Sequence, residues 1–209
     1  MKDGRNIKHH KPANKVKIPI ITLYLPRPGR IPEHLKKYFP RGGVYPLHFE
    51  PKIKKFVGTR NYLHVFGGAS STGLRVDLRP ELKPDVVADA HYLPFRENCF
   101  DAVVLDPPYN DEFAKEMFGT PKLHEMKWIN EAIRVCKPGG KIGIYHSYVM
   151  QSTKAVSYSM LVVTILRFRQ FLRVFTVFTK LGGKTTKITD FCTGGGIRSW
   201  VIKNLWRLL

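Results

Sequence analysis

The chain reads as an α/β protein, a three-layer sandwich of helices on a sheet, and three observations predict it. Short apolar runs follow one another in the order strand, loop, strand, strand, helix, strand. One segment, Lys122 to Cys136, repeats its apolar residues at helical spacing. At 209 residues and 43% hydrophobic, the chain can bury one good core and not two.

Leu63-His64-Val65-Phe66 is an apolar strand that runs into Gly67-Gly68-Ala69-Ser70-Ser71-Thr72-Gly73. A loop of small residues lets the backbone approach a ligand closely, and its N–H groups can face a carboxylate. Arg75-Val76-Asp77-Leu78 ends a second strand on an acid, the usual partner for ribose hydroxyls because a carboxylate accepts from both. A doubly wound nucleotide fold places about 20 residues between its glycines and that acid. Here Gly68 and Asp77 leave room for barely a turn of helix, so either the first crossover helix is nearly deleted or Asp77 has a different job. Val86 to Ala90 is a short strand containing Asp89, followed by His91-Tyr92-Leu93-Pro94-Phe95.

Ala102 to Leu105 is a buried strand that delivers Asp106-Pro107-Pro108-Tyr109 to its carboxyl end, where open α/β sheets bind ligands. Two prolines fix φ and contribute no N–H. The corner is therefore stiff, with spare carbonyl oxygens between a carboxylate and an aromatic face. In Lys122 to Cys136, Leu123, Met126, Ile129, Ile133 and Val135 share a face with Trp128 and Ala132, and Lys137-Pro138-Gly139-Gly140 is expected to stop the helix. Ile142 to His146 is the next strand, with Tyr145 and His146 expected to be partly buried at its end. Leu161–Leu166 and Leu172–Phe178 form a terminal pair joined around Phe168-Arg169-Gln170.

Asp106-Pro107-Pro108-Tyr109 resembles the [D/N/S]-P-P-[Y/F/W] motif of S-adenosylmethionine-dependent amino-methyltransferases, which methylate adenine N6 or cytosine N4. The glycine loop is similar to that family's first motif, close to F-x-G-x-G, with Phe66 and Gly68 matching and Ser70 in place of the last glycine. Asp89-Ala90-His91-Tyr92-Leu93-Pro94-Phe95 resembles its D-A-x-x-L-P-F stretch. The resemblance implies a Rossmann-like class I sandwich, mostly parallel with a terminal antiparallel hairpin, and S-adenosyl-L-methionine as cofactor. It implies catalytic roles for Asp106, Pro107, Pro108 and Tyr109, and cofactor contacts from Phe66, Gly67, Gly68, Ser70, Asp77, Asp89 and Ala90. Pro46 to Phe56 would approach the methionine end of the cofactor. Asp at the first motif position leans towards nucleobases.

The formal charge is +19, from 35 Lys and Arg against 16 Asp and Glu. Lys2, Arg5, Lys8, Lys11, Lys15 and Lys17 make residues 1–17 a basic, flexible arm, which attracts polyanions by counterion release. Nucleic acid is the expected partner, DNA ahead of RNA, and an anionic membrane surface is a distant second. Six prolines between Pro26 and Pro51 predict an irregular, wrapped segment. Residues 18–181 are assigned to the methyltransferase domain and 182–209 to a C-terminal tail. No run reaches the ~18 apolar residues of a membrane span, and no secretory h-region opens the chain, so a cytoplasmic location is expected. Cys99, Cys136 and Cys192 predict neither a disulfide framework nor a metal site. Specificity is expected to be short, relaxed or supplied by a partner, a second copy of the chain included. Two other classes stay open: an RNA base methyltransferase, and a non-catalytic basic nucleic-acid-binding protein that retains the fold.

Overall fold

The computed structural model describes residues 17–25, 33–38, 45–46, 48–118, 123–166 and 172–182. The expected arm (all but Lys17), the tail beyond Gly182, Cys192 and the turn at Phe168-Arg169-Gln170 lie outside them.

Eight strands form one sheet: β1 (Ile20–Leu25), β2 (Leu63–Val65), β3 (Leu74–Asp77), β4 (Val86–Val87), β5 (Phe100–Leu105), β6 (Cys136–His146), β7 (Val156–Leu166) and β8 (Leu172–Lys180). Their order across the sheet is β1-β7-β8-β6-β5-β2-β3-β4. Only β8 runs against its neighbours, β6 and β7; the other pairs are parallel. The α/β fold, mostly parallel with an antiparallel hairpin, is therefore as expected. The hairpin is not the edge, because β1 adds outside it in parallel with β7. Along β1, Ile21 and Leu23 pack on the core, while Tyr24 faces out.

Each face of the sheet carries its own apolar layer. Leu63, Val65, Val103, Leu105, Ile142 and Ile144 point to one side, under Trp128, Ala132 and Ile133 of α3 (Glu125–Val135). Ala102, Val104, Tyr145, Phe175 and Val177 point to the other, under Tyr45, Phe49 and the short helix α1 (Ile53–Val57). Among the described residues, Tyr45, Phe49, Ile53 and Val57 thus cover that face from before β2. Gly143 makes room for this layer, since a Cβ there would lie 2.2 Å from the Phe175 ring. Gly143→Ala is expected to lower stability by about 1–3 kcal/mol through overpacking, read as a lower denaturant midpoint with an unchanged slope.

Several boundaries differ from the sequence reading: β4 ends at Val87 and β7 starts already at Val156. The helix spans Glu125–Val135, and Lys137 to Gly140 lie within β6 instead of forming a separate stop. Cys136 already pairs with Phe100, Lys141 pairs with Ala102, and the intervening residues are absorbed as an irregularity with Gly139 at φ +78°. A further helix, α2 (Asp111–Phe118), starts directly after the Pro-Pro corner. The expected loss of the first crossover helix is complete: β2 passes to β3 through the loop alone.

Candidate active site

Strand order reverses direction at β2, which lies between β3 and β5. Such a switch point opens a crevice at the strands' carboxyl ends. Val65 pairs with Leu105, so the glycine loop and the Pro-Pro corner leave the sheet side by side, joined by the Asp106 N–H donating to the Val65 carbonyl at 3.4 Å. The next strand brings Tyr145 and His146 to the same end, because Leu105 pairs with Ile144.

Asp106 and Tyr109 are partly exposed there, on buried Pro107 and Pro108. Burial pushes the Asp106 carboxyl up to about 8; Arg173 pulls it down and Glu50 pushes it further up. The Arg173 guanidinium sits 4.4 Å from the centroid of the Tyr109 ring, within cation–π range. The His146 ring stands perpendicular to Tyr109 at 5.5 Å. His146 is buried, and burial with Arg173 nearby lowers it to about 4, so this imidazole is neutral near pH 7.

The glycine loop is built differently from the expectation. Gly67 N–H donates to Val76, Gly68 N–H to the Asp77 carboxylate at 2.9 Å, and Ser71 N–H to the Glu50 carboxylate at 2.7 Å. The Ser70 hydroxyl also donates to Glu50, as does Thr72 Oγ1 at 3.0 Å. Among the described residues, none accepts from the Ala69 N–H, alone among the N–H groups of residues 67–72. The loop's donors thus face the protein's own carboxylates. A Cβ on Gly73, at φ +78°, would lie 2.6 Å from the Tyr62 ring, which fixes how tightly the loop turns back.

Asp77 ends β3 as expected and is buried. Its Oδ2 accepts from Gly68, and its Oδ1 accepts from the Arg79 N–H at 3.0 Å and from Arg79 Nε at 3.4 Å. The sequence reading missed Arg173 and also Glu50, the carboxylate that ties the N-terminal layer to the loop. Its only signal was its place in the segment expected near the cofactor.

No family model matches the chain, and no curated protein matches its sequence. Solved structures do resemble it. A methyltransferase from Bacillus halodurans C-125 is 17% identical, with a TM-score of 0.37 over 50% of this chain and 53% of its own. The chain thus spans about half of that protein's length. An S-adenosylmethionine-dependent methyltransferase from Methanosarcina mazei is 12% identical, with a TM-score of 0.45 over 62% of this chain and 97% of its own. An N-methyltransferase from Bradyrhizobium japonicum is 12% identical, with a TM-score of 0.40 over 58% and 85%.

Phe66 and Asp89 follow β2 and β4 at the same end of the sheet. Phe66 takes a left-handed φ of +58° and packs edge-on against Trp128 at 5.9 Å. Asp89 follows β4 and caps its own turn, its Oδ1 accepting from the His91 N–H at 2.8 Å and pairing with His91 Nδ1 at 2.6 Å. Ala90 and Leu93 are core, and Phe95 packs against it. Glu131 and Arg134 of α3 hold this stretch: Leu93 N–H donates to Glu131, and Arg134 donates to the carbonyls of Leu93 and Phe95 at 2.9 and 2.7 Å.

His64, on β2, is fully buried. Its Nδ1–H donates to the Thr72 carbonyl at 3.0 Å, which leaves Nε2 to accept from the Tyr45 hydroxyl at 3.0 Å. Burial lowers its pKa, so it is a neutral strut between the loop and the N-terminal layer. Among the described residues, no group of His, Cys, Asp and Glu is placed to hold a metal, and no helix is long and apolar enough to cross a membrane.

Proposed function

We propose that this chain transfers the methyl group of S-adenosylmethionine to an exocyclic amino group of a nucleobase, adenine N6 or cytosine N4, with DNA the favoured polymer. The observation that carries the reading is the Asp106-Pro107-Pro108-Tyr109 corner at the switch point of a parallel sheet, beside a loop of small residues.

The donor's chemistry fits the residues present. It is a cation at sulfur and at its amino group, and this strongly basic chain gathers carboxylates around its crevice, with Glu50 close enough to raise Asp106. Asp106 and Glu50 would face the cationic end, Asp77 the ribose side and Asp89 the adenine amine, while the Ala69 N–H is left for the donor's carboxylate. When bound, the donor supplies a methyl group already electrophilic on positively charged sulfur.

The protein's task is then positioning. A base amine is a weak nucleophile because its lone pair is delocalised into the ring. The Asp106 carboxylate and the Pro107 carbonyl accept its two hydrogens, which localises the lone pair and stabilises positive charge as it develops on nitrogen. Holding nitrogen in line supplies several kcal/mol without a strong base. One face of Tyr109 stacks on the base, which in duplex DNA must be flipped out at a cost of a few kcal/mol. The proton leaves afterwards to water or Asp106. The +19 charge supports a nucleic-acid substrate through phosphate contacts.

Asp77→Ala is expected to raise the donor's dissociation constant at least about tenfold in calorimetry, because it removes both the expected ribose acceptor and the carboxylate that holds the Gly68 N–H. An unchanged constant places the donor away from the loop. The function itself is tested by mass spectrometry of nucleosides from DNA and RNA incubated with the protein and S-adenosylmethionine. N6-methyladenine or N4-methylcytosine in DNA is the expected product. Methylated bases in RNA alone move the substrate. Donor binding absent by calorimetry, with nucleic-acid binding intact, leaves the non-catalytic reading.

A further inference from the structure

Trp128 on α3 is 2% exposed, and its indole Nε1–H is the one buried side-chain polar group without a hydrogen-bond partner among the described residues. An indole N–H donates and cannot accept, so only an acceptor brought to it relieves the deficit. Buried tryptophans ordinarily find one. Other side chains of the same helix are paired: Glu125 accepts from the Tyr148 hydroxyl, Lys127 donates to the Tyr92 hydroxyl at 3.4 Å, and Glu131 and Arg134 bind the backbone of Leu93 and Phe95. The place of the unpaired donor is informative. Helix α3 carries the chain back between the parallel strands β5 and β6, so its first turn lies at the carboxyl end of the sheet. There the Trp128 ring stands perpendicular to that of Phe66, centroids 5.9 Å apart, and Phe66 is the residue that follows β2 at the switch point. A phenyl face is at most a weak acceptor for an N–H.

Phe66 is half-buried and holds φ +58°, a left-handed conformation that bulky side chains rarely adopt. A strained ring thus packs against a donor that has nothing to donate to. We propose that Trp128 is a binding residue of the donor site: Phe66 turns aside when S-adenosylmethionine binds, and the indole Nε1–H donates to a ring nitrogen of the adenine. The inference rests on the reading of Phe66, Asp89 and Ala90 as cofactor contacts. The surroundings select the ligand. Val65, Ala90, Leu93, Leu105 and Ile133 share the apolar cluster of Trp128, so a carboxylate or phosphate brought there would lose its water for a single hydrogen bond. A purine ring nitrogen is an uncharged acceptor set in the plane of a flat, largely apolar body. It suits both the donor and the walls.

The test uses the full chain, with S-adenosylhomocysteine and its deaza analogues as probes; in each analogue one adenine ring nitrogen is replaced by CH. In proton–nitrogen NMR spectra, assigned through the backbone, the Trp128 indole cross-peak is expected to move downfield when S-adenosylhomocysteine binds, and its exchange with water to slow. In calorimetry, Trp128→Phe is expected to bind S-adenosylhomocysteine about tenfold more weakly than wild type. One deaza analogue is expected to lose a similar factor with wild type and none with Trp128→Phe, the mark of a direct pair in a double-mutant cycle. If circular dichroism shows Trp128→Phe misfolded, the wild-type spectra decide: the analogue that lacks the paired nitrogen is expected to leave the cross-peak unshifted. A cross-peak unmoved by bound S-adenosylhomocysteine overturns the inference and leaves the donor reading standing. So does a loss in Trp128→Phe that is the same for every analogue, since that is the result of altered packing alone. No binding of S-adenosylhomocysteine by the wild type overturns the donor reading, and the inference with it.

Discussion

Asp106→Ala is expected to lower the methyl-transfer rate about 10³-fold and to leave S-adenosylmethionine affinity within a few-fold, as read by single-turnover kinetics and calorimetry. The expectation follows from where Asp106 stands: it follows β5 at the switch point, and in the proposed reaction it would offer the acceptor that draws the amine nitrogen out of conjugation. Unchanged turnover removes it from that role. The same residue carries a pH signature. Its carboxyl is raised from 3.8 to about 8 in the folded chain, so its contribution to stability is fully present below the unfolded value and is lost as pH rises through about 8. In the protein without ligands, unfolding midpoints between pH 4 and 9 should fall more steeply for wild type than for Asp106→Asn. Comparing the two removes the background from the other charges. Parallel curves mean that the carboxyl is not held protonated. For catalysis the sign reverses, because the proposed role needs Asp106 ionised, as the acceptor of one amine hydrogen beside the Pro107 carbonyl: kcat/KM is expected to rise with pH along an acid limb at or below about 8, lowered further by a bound cationic donor.

Glu50→Ala is the second large effect. One carboxylate oxygen accepts from the Ser71 N–H and from the hydroxyls of Ser70 and Thr72, in the loop that replaces the crossover helix. Its loss is expected to destabilise the protein by about 2 kcal/mol, since hydrogen bonds to charged groups are worth roughly 1.5–3 kcal/mol each and the exposed partners recover water. It should also weaken donor binding at least about tenfold by releasing the loop. Glu50→Gln, which keeps an acceptor oxygen, should recover most of the stability and less of the affinity, because it lacks the charge that suits a cationic ligand. Equal affinity in all three proteins separates Glu50 from the donor site.

Much of the sheet was legible because its strands are locally unambiguous. Ala102 to Leu105 is a short apolar run ended by two prolines, and Leu161–Leu166 with Leu172–Phe178 reads as a pair of strands from its apolar runs, its antiparallel pairing being what the family resemblance implied. The Lys137-Pro138-Gly139-Gly140 stretch misled because its local chemistry is that of a helix stop, while pairing with β5 carries it into a strand. Strand β1 escaped because nothing in its own residues names its partner, β7, which lies more than a hundred residues away.

The residues themselves determined the corner, Asp106 to Tyr109, and the shortened passage from Gly68 to Asp77. Backbone restriction by proline and the count of residues between two strands are properties of neighbours in the chain. Tertiary structure alone decided which charges meet there. Glu50 arrives with a layer packed on the far side of the sheet, and Arg173 arrives on the antiparallel strand. Coulomb and cation–π attraction depend on distance in space, and no local pattern encodes distances closed by folding.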